Sequence, residues 1–254
     1  MYQISAGQSA ELQRNGHILL RGLASPDEIA HFGPAIRRAA YEYSNETRSL
    51  EERDTYGKAF LQIMNLWRRD EDVRRFVFER RFAMVAAALL RVERVRLYHD
   101  QALFKEPRGG FTPWHQDQYY WPLDTEKTIT MWMPVVDIDT RMGMLTFASG
   151  SHAQGPVGSV KISDESEAAY DEYIASKGFP IARADAMRAG DATFHLGWTI
   201  HSAEVSMTFS RSAFVTRRLG TADPVPAMTT PERDLARADP AGCALVMPAL
   251  VPGC

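Results

Sequence analysis

Apolar residues recur at three- and four-residue steps through the first hundred positions and at every second position from Val95 onward, so the chain predicts helices first and strands afterwards. The clearest helix start is Ser25-Pro26-Asp27-Glu28: a capping hydroxyl, a proline at the first helical position and a carboxylate three residues on. Ile29, Phe32, Ile36, Ala40 and Tyr43 extend it as one buried stripe, with a kink expected at Pro34. Asp70-Glu71-Asp72 puts negative charge where a further helix would begin, and the apolar run from Val73 to Leu90 suits one or two more buried helices. From Val95, the set Val95, Leu97, His99, Gln101 and Leu103 alternates with Arg96, Tyr98, Asp100, Ala102 and Phe104, the period of a strand.

Further strands are predicted over 128–136, 144–148, 181–187, 191–195, 199–205 and 211–219, separated by Gly, Ser, Pro and Asp. Many short strands closing on themselves predict a barrel or jelly roll. Residues 164–177, rich in Glu, Ala and Tyr, read as a helical insertion on the surface. Residues 221–254 show no period and are either a lid over the barrel mouth or an extension without fixed structure. The whole chain, 1–254, reads as a single domain: a helical scaffold over about 1–94, a strand-built core over about 95–220, and the tail.

A length of 254 residues buries enough surface to fold without a stabilising metal or disulfide, so a metal site here would have a chemical purpose. A formal charge of -3 lacks the basic field that phosphate backbones require, and nucleic acid is not an expected partner. Cys243 and Cys254 both lie in the tail and read as free thiols of a reducing cytoplasm. The most apolar run, 82–90, is too short to span a bilayer, so no membrane segment is expected. Oligomeric state is not legible.

The densest chemistry lies in Thr112-Pro113-Trp114-His115-Gln116-Asp117-Gln118-Tyr119-Tyr120-Trp121. In an extended chain His115 and Asp117 share a face and can reach one metal ion together. Alone this means little, because composition supplies a His-x-Asp by chance in about one such sequence in three. A third element strengthens it: Gly190-Asp191 leads through His195 to Thr199-Ile200-His201, and Arg211 follows. Two histidines and a carboxylate on a rigid barrel make the facial triad that leaves three positions of non-haem Fe(II) open, while a guanidinium at the barrel mouth suits bidentate capture of a carboxylate such as the far end of 2-oxoglutarate.

His115-Gln116-Asp117, His201 and Arg211, with Thr130-Met131-Trp132-Met133-Pro134 and Gly150-Ser151-His152 between them, resemble the phytanoyl-CoA dioxygenase (PhyH) family of Fe(II)/2-oxoglutarate oxygenases. The resemblance runs from about Leu12 to Leu219. It implies an α+β fold, mainly β with flanking helices: a double-stranded β-helix (jelly roll, cupin-like) behind an N-terminal helical section. It also implies His115, Asp117 and His201 as iron ligands and Arg211 as the partner of the distal carboxylate of 2-oxoglutarate. Gln116 and Trp132 fall where the family contacts this cosubstrate, and Gln101 and Thr130 share strand faces that reach it.

One position departs from the family. Many members carry a small hydroxyl residue two places after the distal histidine, where this chain has Ala203, and Thr130, Ser202 and Ser212 are the candidates to replace it. The carboxylate at Asp117 argues against halogenation, since related halogenases have a small residue there. The implied reaction uses dioxygen and abstracts hydrogen from a small organic substrate. Its outcome is C–H hydroxylation in the first instance, in a secondary-metabolite tailoring role, with epimerisation or carbocyclisation as alternatives. A non-catalytic jelly-roll binding module and a redox-inert cupin-like isomerase are the readings from other classes. Tyr119, Tyr120, Trp121 and Trp198 either wall a substrate or belong to the core. His195 reads as a residue orienting a ligand rather than a ligand itself.

Overall fold

The computed structural model describes residues 2–106, 109–123, 125–157 and 162–204, together with the backbone of 212–221. Arg211 and the tail beyond 221, including both cysteines, lie outside the described residues. In chain order the elements are α1 (Ala6–Asn15), β1 (His17–Leu20), α2 (Pro26–Glu42), α3 (Thr55–Ala59), β2 (Leu61–Met64), α4 (Glu71–Val77), α5 (Arg80–Leu90), β3 (Val95–Lys105), β4 (Thr112–His115), β5 (Thr128–Pro134), β6 (Ile138–Asp139), β7 (Leu145–Ala148), α6 (Asp164–Lys177), β8 (Ile181–Arg183), β9 (Ala186–Met187), β10 (Ala192–Leu196), β11 (His201–Ala203) and β12 (Ser212–Thr221).

The helix signals translate directly. Ser25 caps α2 with a reciprocal capping box to Glu28, and the helix runs on through Pro34. Asp70 caps α4 through the Val73 amide, satisfying a donor that the helix itself leaves unpaired. The helices bury Ile36, Phe76, Phe82 and Leu89 against Leu97, Phe104, Met131, Met133 and Phe194 of the sheet, so Met131 and Met133 belong to the core.

Two antiparallel sheets form the strand-built half, in the orders β1-β10-β5-β12-β3-β2 and β4-β11-β7-β8, with β6 and β9 as a separate pair. This is the double-stranded β-helix expected from the sequence. The helical section, however, is not purely helical: β1 pairs with β10, and β2 with β3, at the two edges of the large sheet. Each has four residues, too few for a period-two signal to stand out, and each is specified by the partner strand it meets. The segment expected as one strand over 181–187 divides into β8 and β9, which serve different sheets.

Two anchors bear on the site. Asp191, buried before β10, accepts from the Gly22 and Arg188 amides and from Arg21, clamping the turn that leads to His195. Glu167 and Asp171, one turn apart on α6, accept from the backbone N–H and the indole N–H of Trp114. The helical insertion therefore grips the strand that carries His115.

Candidate active site

His115 ends β4 and His201 begins β11, and the two are directly opposed in the strand register. Their rings lie 4.1 Å apart. Each ring is held by its own strand: Nδ1 of His115 lies 2.8 Å from the Pro113 carbonyl, and Nδ1 of His201 lies 2.9 Å from the Thr199 carbonyl. A carbonyl only accepts, so both Nδ1 atoms carry the proton and both Nε2 atoms present a lone pair. Asp117 follows β4 in a short turn that turns its carboxylate back toward the rings, Oδ1 being 3.9 Å from His115 Nε2 and 4.0 Å from His201 Nε2. One ligand atom from each of the three residues lies within 4.8 Å of the others.

The two oxygens of Asp117 have different surroundings. Oδ2 accepts a 2.6 Å hydrogen bond from the Thr130 hydroxyl and a 3.2 Å bond from His195 Nε2. Thr130 and His195 are themselves opposite one another on β5 and β10, so a cross-strand pair holds one oxygen while the other faces the imidazoles. Beyond His201, Phe147 carries on the ring contacts and stacks at 4.5 Å on His17. Burial pushes His17 down to about 4, which keeps that ring neutral.

These groups open on a cavity of about 540 Å³, counting its mouth, between the two sheets. Gln101, Thr130 and Trp132 line it alongside the triad. Gln116 does not. Its amide donates to the Gly155 and Trp198 carbonyls and accepts from the Val157 amide, so it ties the segment at 155–157 to the one at Trp198. Tyr119, Tyr120, Trp121 and Trp198 are not among the cavity-lining residues either; the Tyr120 hydroxyl accepts from the Ile162 amide, and Trp121 packs near Tyr98 and His99. Arg211 lies outside the described residues.

His195 and Ala203 line the cavity too, and the sequence reading missed Phe60, Leu103, Lys105, Thr112, Gly143 and Leu145 as lining residues. Lys105 was within reach of the pattern, because it continues the face of Gln101 and Leu103 at the next period-two step. Lys105 as a whole is 1% exposed, and its Nζ donates to the Gly110 carbonyl at 2.9 Å and the Thr112 hydroxyl at 3.3 Å, over the face of Phe60. Burial pulls it from the ordinary lysine range down to about 7. Between pH 7 and 10 the unfolded chain therefore holds a proton that the folded one lacks, and this group makes stability rise with pH, by at most about 1.4 kcal/mol per unit. Lys105→Met should flatten that rise. Urea unfolding of both proteins at pH 7, 8 and 9, without added ligand, measures it, and parallel curves would refute it.

A sequence profile of the phytanoyl-CoA dioxygenase (PhyH) family matches residues 12–213, most of the chain and all three residues of the triad. The chain belongs to the phytanoyl-CoA dioxygenase family. Membership makes it an enzyme of the Fe(II)/2-oxoglutarate-dependent class. No curated protein matches it in sequence. Among solved structures, this PhyH member is similar to the α-ketoglutarate-dependent carbocyclase SnoK of nogalamycin biosynthesis, with 20% identity and a TM-score of 0.78 over 99% of this chain and 94% of that one. It is also similar to the epimerase SnoN of the same biosynthesis, with 22% identity and a TM-score of 0.71 over 89% of this chain and 95% of that one. EctD from S. alaskensis, solved with 2-oxoglutarate and 5-hydroxyectoine, matches at 19% identity and a TM-score of 0.70, over 86% of this chain and 76% of that one. Among the described residues no helix is long and apolar enough to cross a membrane.

Proposed function

We propose that this PhyH-family chain is an oxygenase that removes a hydrogen atom from a C–H bond of a small organic molecule, using Fe(II) held by His115, Asp117 and His201 together with 2-oxoglutarate. The observation that carries the reading is the donor set itself. Two imidazoles with their Nε2 lone pairs turned inward and one carboxylate oxygen converge on one point, a mixed nitrogen and oxygen set that suits Fe(II) with positions left open. When bound, iron, 2-oxoglutarate and dioxygen supply the oxidising power that breaks the C–H bond, with succinate and carbon dioxide as coproducts.

The residues do the rest by placement. The backbone carbonyls of Pro113 and Thr199 hold the imidazoles in the metal-binding tautomer. Thr130 and His195 hold Asp117 Oδ2, which favours ligation through Oδ1 alone and keeps a coordination position free. Gln101 and Trp132, both in the lining, would flank the cosubstrate and Arg211 would pair with its distal carboxylate, while Phe60, Leu103, Trp132 and Leu145 give the cavity apolar walls that would exclude water from the reacting carbon. Hydroxylation is the outcome proposed first, in the tailoring of a secondary metabolite. The likeness in fold to a carbocyclase and an epimerase favours keeping those outcomes open, since all three begin with the same abstraction.

Anaerobic titration of the metal-free protein with Fe(II) and 2-oxoglutarate tests the reading. A visible charge-transfer band that needs both components is expected, and iron binding without that band would overturn it. The support of Asp117 has its own test. Thr130→Val and His195→Phe should each lower Fe(II) affinity roughly 10–100-fold, the usual cost of removing a ligand's hydrogen-bond partner. His195→Gln, which keeps a donor, should recover part of it. Chelator competition measures these affinities, and wild-type values in both variants would show that Oδ2 needs no anchor.

A further inference from the structure

His115 and His201 are held by the same local device. In each, Nδ1 donates to the carbonyl two residues back, that of Pro113 at 2.8 Å and that of Thr199 at 2.9 Å. That carbonyl belongs to the same peptide group as the N–H of the next residue, Trp114 in one case and Ile200 in the other. A trans peptide group is planar, so its C=O and N–H point in opposite directions and turn only as a unit. Both N–H groups are capped by a side chain from far along the chain. Glu167 Oε2 accepts from Trp114 at 2.6 Å, and Ser151 Oγ accepts from Ile200 at 2.9 Å. Ser151 is the middle residue of Gly150-Ser151-His152, and this is what that motif does for His201.

The two caps differ in charge. Ser151 is a neutral hydroxyl, buried like Ile200. Glu167 is a carboxylate on α6, at a position of the helix where an apolar side chain would be expected: Glu167, Tyr170, Asp171 and Ile174 fall at helical spacing on one face, and Tyr170 and Ile174 cluster with Trp114. Strand β4 lies at the edge of its sheet with only β11 beside it, so an N–H on its open side meets no strand, and Glu167 takes the place of one. An anion at the N–H end of a peptide group pushes electron density toward the carbonyl at the other end. The Pro113 carbonyl then accepts more strongly from His115 Nδ1, and Nε2 of that ring becomes the more basic donor. Asp171 accepts from the indole N–H of Trp114 at 2.9 Å, so it holds the same side chain to α6 without touching the peptide group.

We propose that Glu167 is a positioning residue for His115, acting through the Pro113–Trp114 peptide group to hold the Nδ1–H tautomer and to strengthen Nε2 as a metal donor. Its purpose rests on the Fe(II) reading above, and two measurements separate them. The first needs no metal: nitrogen NMR of the metal-free protein reads which ring nitrogen of neutral His115 carries the proton. Wild type should hold it on Nδ1, and in Glu167→Ala part of the population should move it to Nε2. The second is Fe(II) affinity by chelator competition. Glu167→Ala should lose roughly tenfold, the lower end of what removing a ligand's own hydrogen-bond partner costs.

Glu167→Gln, which keeps an acceptor oxygen but not the charge, should keep the proton on Nδ1 and recover part of the affinity. Asp171→Ala loosens the same helix and leaves the peptide group capped, so it should lose much less than Glu167→Ala in both readouts. Wild-type tautomer and affinity in Glu167→Ala overturn the proposal. So does a Glu167→Gln no better than Glu167→Ala, and so does an equal loss in Asp171→Ala, since that would make α6 a plain support for β4. If wild-type protein binds no Fe(II), the function reading fails, and the tautomer measurement alone decides whether Glu167 sets the state of His115.

Discussion

Asp117→Ala is expected to reduce substrate-dependent succinate release to background and to strip the purified protein of firmly held Fe(II). Asp117 is the only carboxylate of the triad, and it lies 2% exposed beside two imidazoles. Removing it takes away both a ligand and the charge that offsets the metal's, so the loss should exceed the roughly 10–100-fold cost of a supporting hydrogen bond. A folding defect would mimic this result. Asp117→Asn guards against it, because the amide fills the same space and still accepts from Thr130, so it should unfold near the parent while binding Fe(II) poorly. Undiminished turnover in purified Asp117→Ala would remove the iron from this triad.

Gly190→Ala should be the most damaging small substitution outside the triad. Gly190 has φ +91°, where a side chain is strained, and a Cβ there would sit 2.4 Å from the Ala24 carbonyl oxygen. That oxygen is backbone and cannot swing aside. The turn would have to open, breaking the bonds Gly190 makes with the Pro134 carbonyl and the Ala24 amide at the entrance to β10. Strain and lost hydrogen bonds together should cost about 3 kcal/mol, or a fall in Tm of about 10 °C for a chain of this size. Gly178→Ala supplies the internal control. It too has positive φ, +66°, but nothing lies within 4 Å of its Cβ, so it should cost only about 1 kcal/mol. Equal losses in thermal unfolding would show that the contact with Ala24 does not matter. Because β10 carries His195, Gly190→Ala should also weaken Fe(II) binding.

The parts of this protein legible in its sequence are those whose signal is local. The capping box at Ser25, the helix at 164–177 and the change of period at Val95 all reappear in the structure. The types of His115, Asp117 and His201 marked them out as a group in the sequence, and the register of β4 against β11 brings them to one point. Edge strands β1 and β2 were not legible, since four residues carry too little period to outweigh a helical context. Gln116 shows the limit most plainly: one residue from two triad members, it is not in the cavity lining and instead binds two segments distant in sequence, at 155–157 and at Trp198.

The sequence by itself determined the family, the order of helical and strand-built halves, and the three side chains at the centre, because period and ligand type are properties of neighbouring residues. Only the tertiary structure decided which oxygen of Asp117 is held by Thr130 and His195, that Lys105 is buried beside the cavity, and that Thr112 faces inward opposite Ala203. Those depend on cross-strand register and on a single extra residue in β4, and register is set by packing between strands far apart in the chain rather than by any residue's own preference.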